Sequence, residues 1–264
     1  MATREISAAR LLFLYKVVAL VFVLPFALHN FRIVSLWSLI TVLIVNAFLN
    51  ALAFYLYLRA ISVSPLSVTV PMLSFSPVFL LFTSRLILGQ KVNLAGISGI
   101  VLITVGSYLL NLGDVRRGPF VPILSLLKEP GARYMLTVAF IWSITANLDR
   151  IGVGLSDPFV WVALMNVGVI SFVMPVALRS GSGPARWRFP IAMGVADGIG
   201  AVLQMFAITL APVPHVIAIK RTSILLSSVV GLVVFRERRW AERFSGALAM
   251  AVGAVLVILS IARG

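Results

Sequence analysis

The chain has 264 residues, of which 61% are hydrophobic and 11% are charged, and its mean hydropathy is +1.08. This composition excludes a soluble globular protein of that length, which would need far more polar surface. The formal net charge of +14 does not indicate nucleic-acid binding, because most basic residues lie in short segments between apolar runs and not on one basic face. Since cysteine is absent and His29 and His215 are the only imidazoles, the sequence predicts no metal site and no cofactor.

Apolar runs of about 20 residues follow one another along the chain, each long enough to cross a hydrocarbon core of about 30 Å as a helix. The sequence therefore predicts an all-α integral membrane protein, multi-pass in the inner (cytoplasmic) membrane. Nine transmembrane helices are predicted near residues 10–29, 35–58, 66–88, 93–112, 134–154, 158–178, 189–211, 213–235 and 243–262. Prolines inside these helices remove a backbone donor and are predicted hinges: Pro25, Pro71, Pro77 and Pro175.

The two halves of the chain share one pattern. Residues 60–66 recur 147 positions later at 207–213, and residues 23–28 match 173–178 at an offset of 150. The repeat pairs the first four predicted helices with the last four and leaves the helix at 134–154 unpaired. An inverted repeat of helix bundles is typical of carriers. It predicts a first repeat at 1–112 and a second at 134–264, joined by an amphipathic loop at 113–133 along the membrane surface.

Because the second repeat opens with an unpaired helix, the complete pattern is predicted to have ten helices, with the leading one missing through a late start assignment or a truncation.

The distribution of basic residues predicts the orientation of the chain in the membrane. Fourteen Lys and Arg lie on the N-terminal side of the predicted topology, and four lie on the other side: Arg32, Lys91, Arg150 and Arg263. The positive-inside rule then places the N-terminus in the cytoplasm and the C-terminus outside.

Charged residues inside the apolar runs are the first candidates for function. Lys220 and Arg221 lie seven and eight positions into their run, where a charge costs about 2.5–3.5 kcal/mol on insertion scales. They predict either an anion or carboxylate site or an ion pair that locks helices. Asp197 is the predicted counter-charge, either as a proton-coupling residue or as a static salt bridge. Lys16 is predicted to extend its ammonium group toward the interface.

Uncharged polar and aromatic residues could line a solute path, because amides offer donors and acceptors without a charge. The candidate substrate-binding residues are Lys220, Arg221, Asn50, Trp142, Asn147 and Gln204, although each amide also suits a bond between helices. Asp149 is predicted as a coupling residue or as a boundary ion pair with Arg150. Glycines seven residues apart, at 99 and 106 and again at 246 and 253, predict close helix packing between the repeats or between the protomers of a homodimer.

Two motif sets carry a resemblance to a known family. The first comprises residues 64–66, 75–79 (Phe-Ser-Pro-Val-Phe), 88–90 (Leu-Gly-Gln) and Gly99; the second comprises 220–223 (Lys-Arg-Thr-Ser), 235–237 (Phe-Arg-Glu) and Gly246. In both repeats the chain resembles EamA-type transporters of the drug/metabolite transporter superfamily. The resemblance implies a ten-helix inverted repeat, a central cavity and alternating access for amino acids, sugars or other small metabolites. The chain departs from that pattern in its nine helices, in Gln90 where Glu is common, and in its external C-terminus.

The sequence thus predicts a secondary transporter, and not an enzyme, that moves a small metabolite such as an amino acid, a sugar or an anion, binds membrane lipid and could couple to protons. The alternatives are a flippase for a lipid-linked substrate and a membrane scaffold without transport. A remote alternative is an intramembrane serine protease, with the G-x-S-G motif at 96–99 and a Ser98–His215 pair. The repeat explains that motif without catalysis, because residues 245–246 repeat Ser-Gly with no matching histidine.

Overall fold

The computed structural model describes residues 8–64, 69–111, 129–179, 188–223 and 240–262. Within these ranges the chain is helical and contains no strand, which confirms the predicted all-α class. The helices are α1 (Ala8–His29), α2 (Leu36–Val63), α3 (Ser76–Leu88), α4 (Leu94–Asn111), α5 (Pro130–Leu155), α6 (Pro158–Arg179), α7 (Arg188–Leu210), α8 (Val213–Arg221) and α9 (Trp240–Ala262). A 3₁₀ segment, Val70–Phe75, directly precedes α3.

Several of these helices suit a lipid bilayer. In the described residues, six stretches are long and apolar enough to cross a membrane: Ala9–His29, Leu36–Val63, Val70–Leu88, Pro158–Arg179, Arg188–Leu210 and Ser245–Ala262. Large apolar side chains such as Trp37, Leu86 and Leu210 are exposed along them, which is stable only where lipid replaces water. Helix α5 has 26 residues but is less apolar. The predicted loop at 113–133 and the helix at 213–235 lie partly outside the described residues.

The predicted continuous helix at 66–88 is wrong in one respect, because a 3₁₀ segment breaks it. Pro71 lies in the first turn of that segment and Pro77 in the first turn of α3. A helical residue at position 77 would normally donate to the carbonyl of Leu73, but proline has no N–H. The backbone N–H of Ser76 donates to the Leu73 carbonyl instead, which closes a tighter 3₁₀ turn.

The chain divides into two compact units. The first unit comprises Met1–Leu52 and Leu148–Leu210, and the second comprises Ala53–Asn147 and Ala211–Gly264. The division runs through α2 and α5, so each of these helices contributes residues to both units. In the first unit α1 packs against α6 and α7. Phe26 near the end of α1 stacks on Phe159 near the start of α6, with ring centroids 5.5 Å apart, so these two helices are antiparallel.

In the second unit, α4 and α9 pack through their glycines. A Cβ on Gly99 would lie 2.7 Å from the carbonyl oxygen of Gly253, and a Cβ on Gly106 would lie 2.5 Å from that of Gly246. The contacts run in opposite directions along the two helices, which are therefore antiparallel. Because Gly99 matches Gly246 and Gly106 matches Gly253 in the repeat, the two contacts are equivalent. The predicted close packing thus lies between the repeats, as an inverted repeat requires.

The remaining predicted hinges lie in the first unit. Pro25 lies inside α1 and Pro175 inside α6, at equivalent positions of the two repeats. Each proline leaves one carbonyl of the preceding turn without its helical donor, which makes a helix easier to bend there. The hinge role of all four prolines stays a prediction.

Candidate functional site

The best candidate site lies in the second unit, where α8 ends. The guanidinium of Arg221, the last residue of α8, donates to the hydroxyl oxygen of Ser76 from Nη2 at 2.8 Å and from Nε at 3.3 Å. Ser76 is the first residue of α3 and is buried. Arg221 therefore joins the end of α8 to the start of α3, directly after the 3₁₀ segment. Lys220 is exposed, so the two adjacent cations have different surroundings.

In the described residues, both repeats contain a 3₁₀ hydrogen bond at nearly equivalent positions. In the first repeat the interruption is the 3₁₀ segment Val70–Phe75. In the second, the backbone N–H of Thr222 donates to the carbonyl of Ile219 at 2.9 Å, a 3₁₀ bond that ends α8. At the repeat offset of 147, Arg221 corresponds to Ser74. Departures from regular helix at corresponding positions of two repeats are typical of a transporter's binding site.

Polar side chains of α4 contact the same 3₁₀ segment. The hydroxyls of Ser74 and Ser107 are 2.7 Å apart. The ring of Tyr108 packs edge-on against Phe75, with centroids 5.8 Å apart. Together with the Arg221–Ser76 bonds, polar side chains of α4 and α8 reach three consecutive residues of the interrupted helix.

No acidic side chain of the described residues pairs with the charge of Arg221. In the part of the chain that the structure describes, its hydrogen bonds go only to the neutral hydroxyl of Ser76. A guanidinium carries five N–H donors and a full charge, and a charge inside a membrane segment normally pairs with an opposite charge or water. Among the described residues, the charge of Arg221 is therefore left without an anionic partner.

Asp197 is not the counter-charge of Arg221, and that prediction is wrong. Its carboxylate forms a 2.8 Å salt bridge with the ammonium group of Lys16 in the first unit. The prediction that Lys16 reaches the interface is wrong for the same reason. Gly194 brings α7 against α1, because a Cβ there would lie 2.6 Å from Val18. This close approach lets Asp197, one turn along α7, reach Lys16.

Asp149 also has buried partners in the first unit. Its Oδ1 accepts hydrogen bonds from the amide of Asn46 at 2.7 Å and from the indole N–H of Trp161 at 3.0 Å. Asn50 in turn donates to the side-chain oxygen of Asn46 at 3.1 Å. Sequence reasoning missed the role of Trp161. Its ring packs against Gly152, where a Cβ would lie 2.5 Å from the indole. That glycine, nine residues before Trp161, is the sequence feature from which the packing of the ring could have been predicted.

Asn147 holds helices together in the second unit. Its Oδ1 accepts from the Ser84 hydroxyl at 2.6 Å, and its Nδ2 donates to Thr83 Oγ1 at 3.0 Å and to the Ser143 carbonyl at 2.7 Å. The side chain is fully buried. These bonds join α5 to α3 and use the amide's hydrogen-bonding groups, so a solute contact would require some of them to open.

The other predicted site residues are divided between the units. Trp142 lies in the second unit and stacks on Tyr57, with centroids 6.2 Å apart. Gln204 lies half-buried on α7 in the first unit, as does Asn50 on α2. Within one unit, the structure brings Arg221 together with hydroxyl groups that the sequence did not single out. A substrate contact by each predicted residue stays a prediction.

Another polar cluster lies at the start of α8. His215 Nε2 is 3.2 Å from the hydroxyl of Ser260, which donates to Asn93 Oδ1 at 2.6 Å. The side-chain carbonyl of Gln90 accepts from the backbone N–H of Val213 at 3.0 Å and so caps α8. Ser98 of the G-x-S-G motif is exposed, and His215 bonds to Ser260 instead. The Ser98–His215 pair that the protease alternative requires is therefore not formed here.

Comparisons with known proteins identify the family of the chain. A family model described as the EamA-like transporter family matches residues 1–112 and 129–259. The chain is 24% identical over 263 residues, 97% of its length and 90% of the relative's, to a protein of Archaeoglobus fulgidus named an uncharacterized transporter. A solved crystal structure shares the fold with a TM-score of 0.78 at 16% identity, over 99% of this chain and 92% of that one. With nearly its whole length matched, the chain belongs to the EamA-like transporter family, within the drug/metabolite transporter superfamily.

Proposed function

We propose that this protein is a secondary transporter that carries a small anionic metabolite across the cytoplasmic membrane by alternating access. The observation that carries the proposal is Arg221, a cation inside an apolar segment whose described hydrogen bonds reach only a serine hydroxyl. The family membership and the name of the Archaeoglobus fulgidus relative support transport. The solute passes through chemically unchanged, and no cofactor takes part.

The anion is a carboxylate or a group of similar shape. A guanidinium binds a carboxylate through two parallel N–H bonds, and such charge-assisted bonds are about twice as strong as neutral ones. Ser76, which accepts the Arg221 hydrogen bonds, is the first residue of α3. The guanidinium therefore favours a negative group beside the start of α3. Amino acids, through their carboxylate, and sugar acids belong to this class.

The interrupted helices and the prolines provide the movement that alternating access needs. A 3₁₀ segment has poorer hydrogen-bond geometry than an α-helix and is often a hinge. Pro71 and Pro77 flank this segment at its two ends. Binding of an anion at Arg221 would change the forces on the segment directly, because Arg221 bonds to Ser76 at its end.

The Lys16–Asp197 salt bridge is the proposed site of proton coupling. It joins α1 to α7 in the first unit, and the protein encloses neither side chain completely, since their exposed fractions are 16% and 33%. Protonation of Asp197 would remove the charge that holds Lys16 and would release α1 from α7. Proteoliposomes with an imposed pH gradient test this step. Flux that responds to the gradient in the native protein and not in Asp197→Asn supports it, whereas flux indifferent to the gradient contradicts it.

The test of the anion site compares two arginines of the second unit. Arg221→Gln removes the proposed anion contact, whereas Arg85→Gln removes an exposed arginine of α3. The purified proteins are melted in detergent with a library of small carboxylates and with their neutral amides. A bound ligand at 100 times its Kd stabilises the folded protein by about 2.7 kcal/mol. Stabilisation by carboxylates should persist in Arg85→Gln and disappear in Arg221→Gln.

Flux measurements separate the proposal from its alternatives. Saturable uptake of the stabilising carboxylate into proteoliposomes that requires Arg221 supports a carrier. Unchanged behaviour of Arg221→Gln in every assay favours a membrane scaffold. Movement of a lipid-linked substrate between leaflets, with no uptake of the free solute, favours a flippase.

A further inference from the structure

The polar cluster at the start of α8 has a defined order of donors and acceptors. Asn93 Oδ1 accepts the backbone N–H of Gly96 at 2.9 Å, which fixes the orientation of the Asn93 amide. The same oxygen accepts the hydroxyl hydrogen of Ser260 at 2.6 Å. Because a hydroxyl has only one hydrogen, the Ser260 oxygen can only accept from His215 Nε2, which lies 3.2 Å away. The neutral imidazole therefore carries its hydrogen on Nε2.

The other ring nitrogen of His215 has no protein partner. Nδ1 forms no hydrogen bond among the described residues, and the side chain is only 3% exposed. In the tautomer that Ser260 requires, Nδ1 is a basic nitrogen with a lone pair. A buried acceptor without a donor costs stability. A glutamine could donate to Ser260 without a ring nitrogen, so the bond to Ser260 does not explain why a histidine is present.

Gly96 makes room for the imidazole. A Cβ on this residue would lie 2.7 Å from both His215 Nε2 and Ser260 Oγ, so alanine would displace the cluster. The first glycine of the G-x-S-G motif thus serves the packing of α8 against α4 and α9. Together with the Gln90 cap on the backbone of Val213, these contacts hold the start of α8.

The helices around His215 provide no counter-charge for an imidazolium. Helix α8 packs against α3, α4 and α9. The charged and titratable residues on these helices, on α8 itself and just before α4 are Arg85, Lys91, Tyr108, Lys220, Arg221, Glu242 and Arg243. Glu242 is the one carboxylate in this set, and it lies eighteen residues before Ser260 on α9, about 27 Å along the helix axis. A second hydrogen on the ring would therefore leave a buried positive charge without a partner in the described residues.

We propose that Nδ1 of His215 is a proton-binding site, and that its occupation releases the start of α8 from α4 and α9. A charged ring is stable only where water or an anion reaches it, so the imidazole must leave the cluster and lose its bond to Ser260. Helix α8 carries Arg221 at its other end, so acidification loosens the helix that presents the proposed anion contact. The inference goes beyond the proposed function, and its failure would leave that function intact.

The first measurement determines the tautomer of His215. The chain has only two histidines, so the ring nitrogens of each can be followed by NMR in full-length protein labelled with ¹⁵N at histidine and purified in detergent. Native protein is compared with His215→Gln and, as a matched control, with His29→Gln, which removes an exposed ring at the end of α1. Glutamine keeps an N–H donor for Ser260 and takes up no proton. At about pH 8, above the usual histidine pKa of about 6.5, His215 should carry hydrogen on Nε2 and none on Nδ1. The reverse tautomer overturns the inference.

The second measurement follows the release of α8 by hydrogen exchange of its backbone amides, corrected for the intrinsic effect of pH on exchange. If opening takes up one proton, the open population rises by up to about tenfold for each pH unit below about 6.5. We expect this rise in the native protein and in His29→Gln, and none in His215→Gln. An equal rise in native protein and His215→Gln overturns the inference.

The ring signals of native protein provide a test that needs no variant, in case His215→Gln does not fold. Nδ1 of His215 should gain its hydrogen over the same pH range in which the α8 amides lose protection. A protonated ring in protein whose α8 stays protected overturns the inference. A ring that stays neutral down to about pH 5, well below the usual histidine value, overturns it as well.

Discussion

Substitution of Gly106 by alanine tests the antiparallel contact between the repeats. The new Cβ would lie 2.5 Å from the carbonyl oxygen of Gly246 and 2.8 Å from the backbone nitrogen of Met250. A carbon normally approaches a carbonyl oxygen no closer than about 3.3 Å, so α4 and α9 must separate by roughly 0.8 Å. Both contacts are backbone atoms that cannot rotate away. Overpacking of this kind costs about 1–3 kcal/mol.

Thermal melting in detergent measures the effect, because each kcal/mol lowers the melting temperature of a chain of this size by about 2–4 °C. Gly253→Ala, the repeat equivalent, should lose a similar amount, since its Cβ would lie 2.6 Å from the carbonyl oxygen of Gly99. Gly200→Ala is the control, because nothing lies within 4 Å of its added Cβ. It should melt at or slightly above the native temperature, as alanine favours helices. If Gly106→Ala melts like Gly200→Ala, the two helices do not touch at this register and the reasoning is wrong.

Two further predictions concern buried polar contacts. Lys16→Met or Asp197→Asn alone leaves a charge without its partner and should lower the free energy of unfolding by about 1–3 kcal/mol, whereas the double variant should recover part of that loss. Strictly additive losses in the melting of the four proteins would show that the pair does not interact. Asn147→Leu should cost about 2–3 kcal/mol, more than Ser84→Ala, because it leaves several buried groups unpaired. An unchanged melting temperature of Asn147→Leu would refute the structural role of this amide.

The sequence predicted the backbone framework well, because that framework depends on residues whose chemistry acts locally. Apolar runs of sufficient length predicted the helices, and the repeat offset predicted which glycines are equivalent. Gly99 and Gly106 lie on one helix face, so a close partner helix could be expected. The partner itself, Gly253 with Gly246, followed from the structure, because the sequence alone could not distinguish a second repeat from a second protomer.

Side-chain pairing was less predictable, because it depends on which helices are neighbours. The sequence predicts Asp197 as the counter-charge of Lys220 or Arg221, because those cations lie inside an apolar run. In the structure α1 packs against α7, so Asp197 pairs with Lys16 instead. Two sequence features together indicate this salt bridge: a lone lysine in an apolar run near the start of the chain, and an aspartate that lies between two glycines. The 3₁₀ segment could likewise be predicted only in part from the sequence. Pro71 and Pro77 predicted a weak point, and the structure showed that the backbone tightens there and does not merely bend.

The repeats preserve the residues that position the backbone and differ in the residues that carry charge. The glycine contacts between α4 and α9 occur twice, in equivalent form. In contrast, Arg221 corresponds to Ser74 at the offset of 147. Lys16 corresponds to Asn166 at the offset of 150, and Asp197 corresponds to Asn50 at the offset of 147. A backbone with equivalent halves can adopt two conformations of similar energy that open to opposite sides, which alternating access requires. A solute with one charged end needs only one cation, so a single Arg221 fits the proposed anionic solute better than a symmetric pair of charges would.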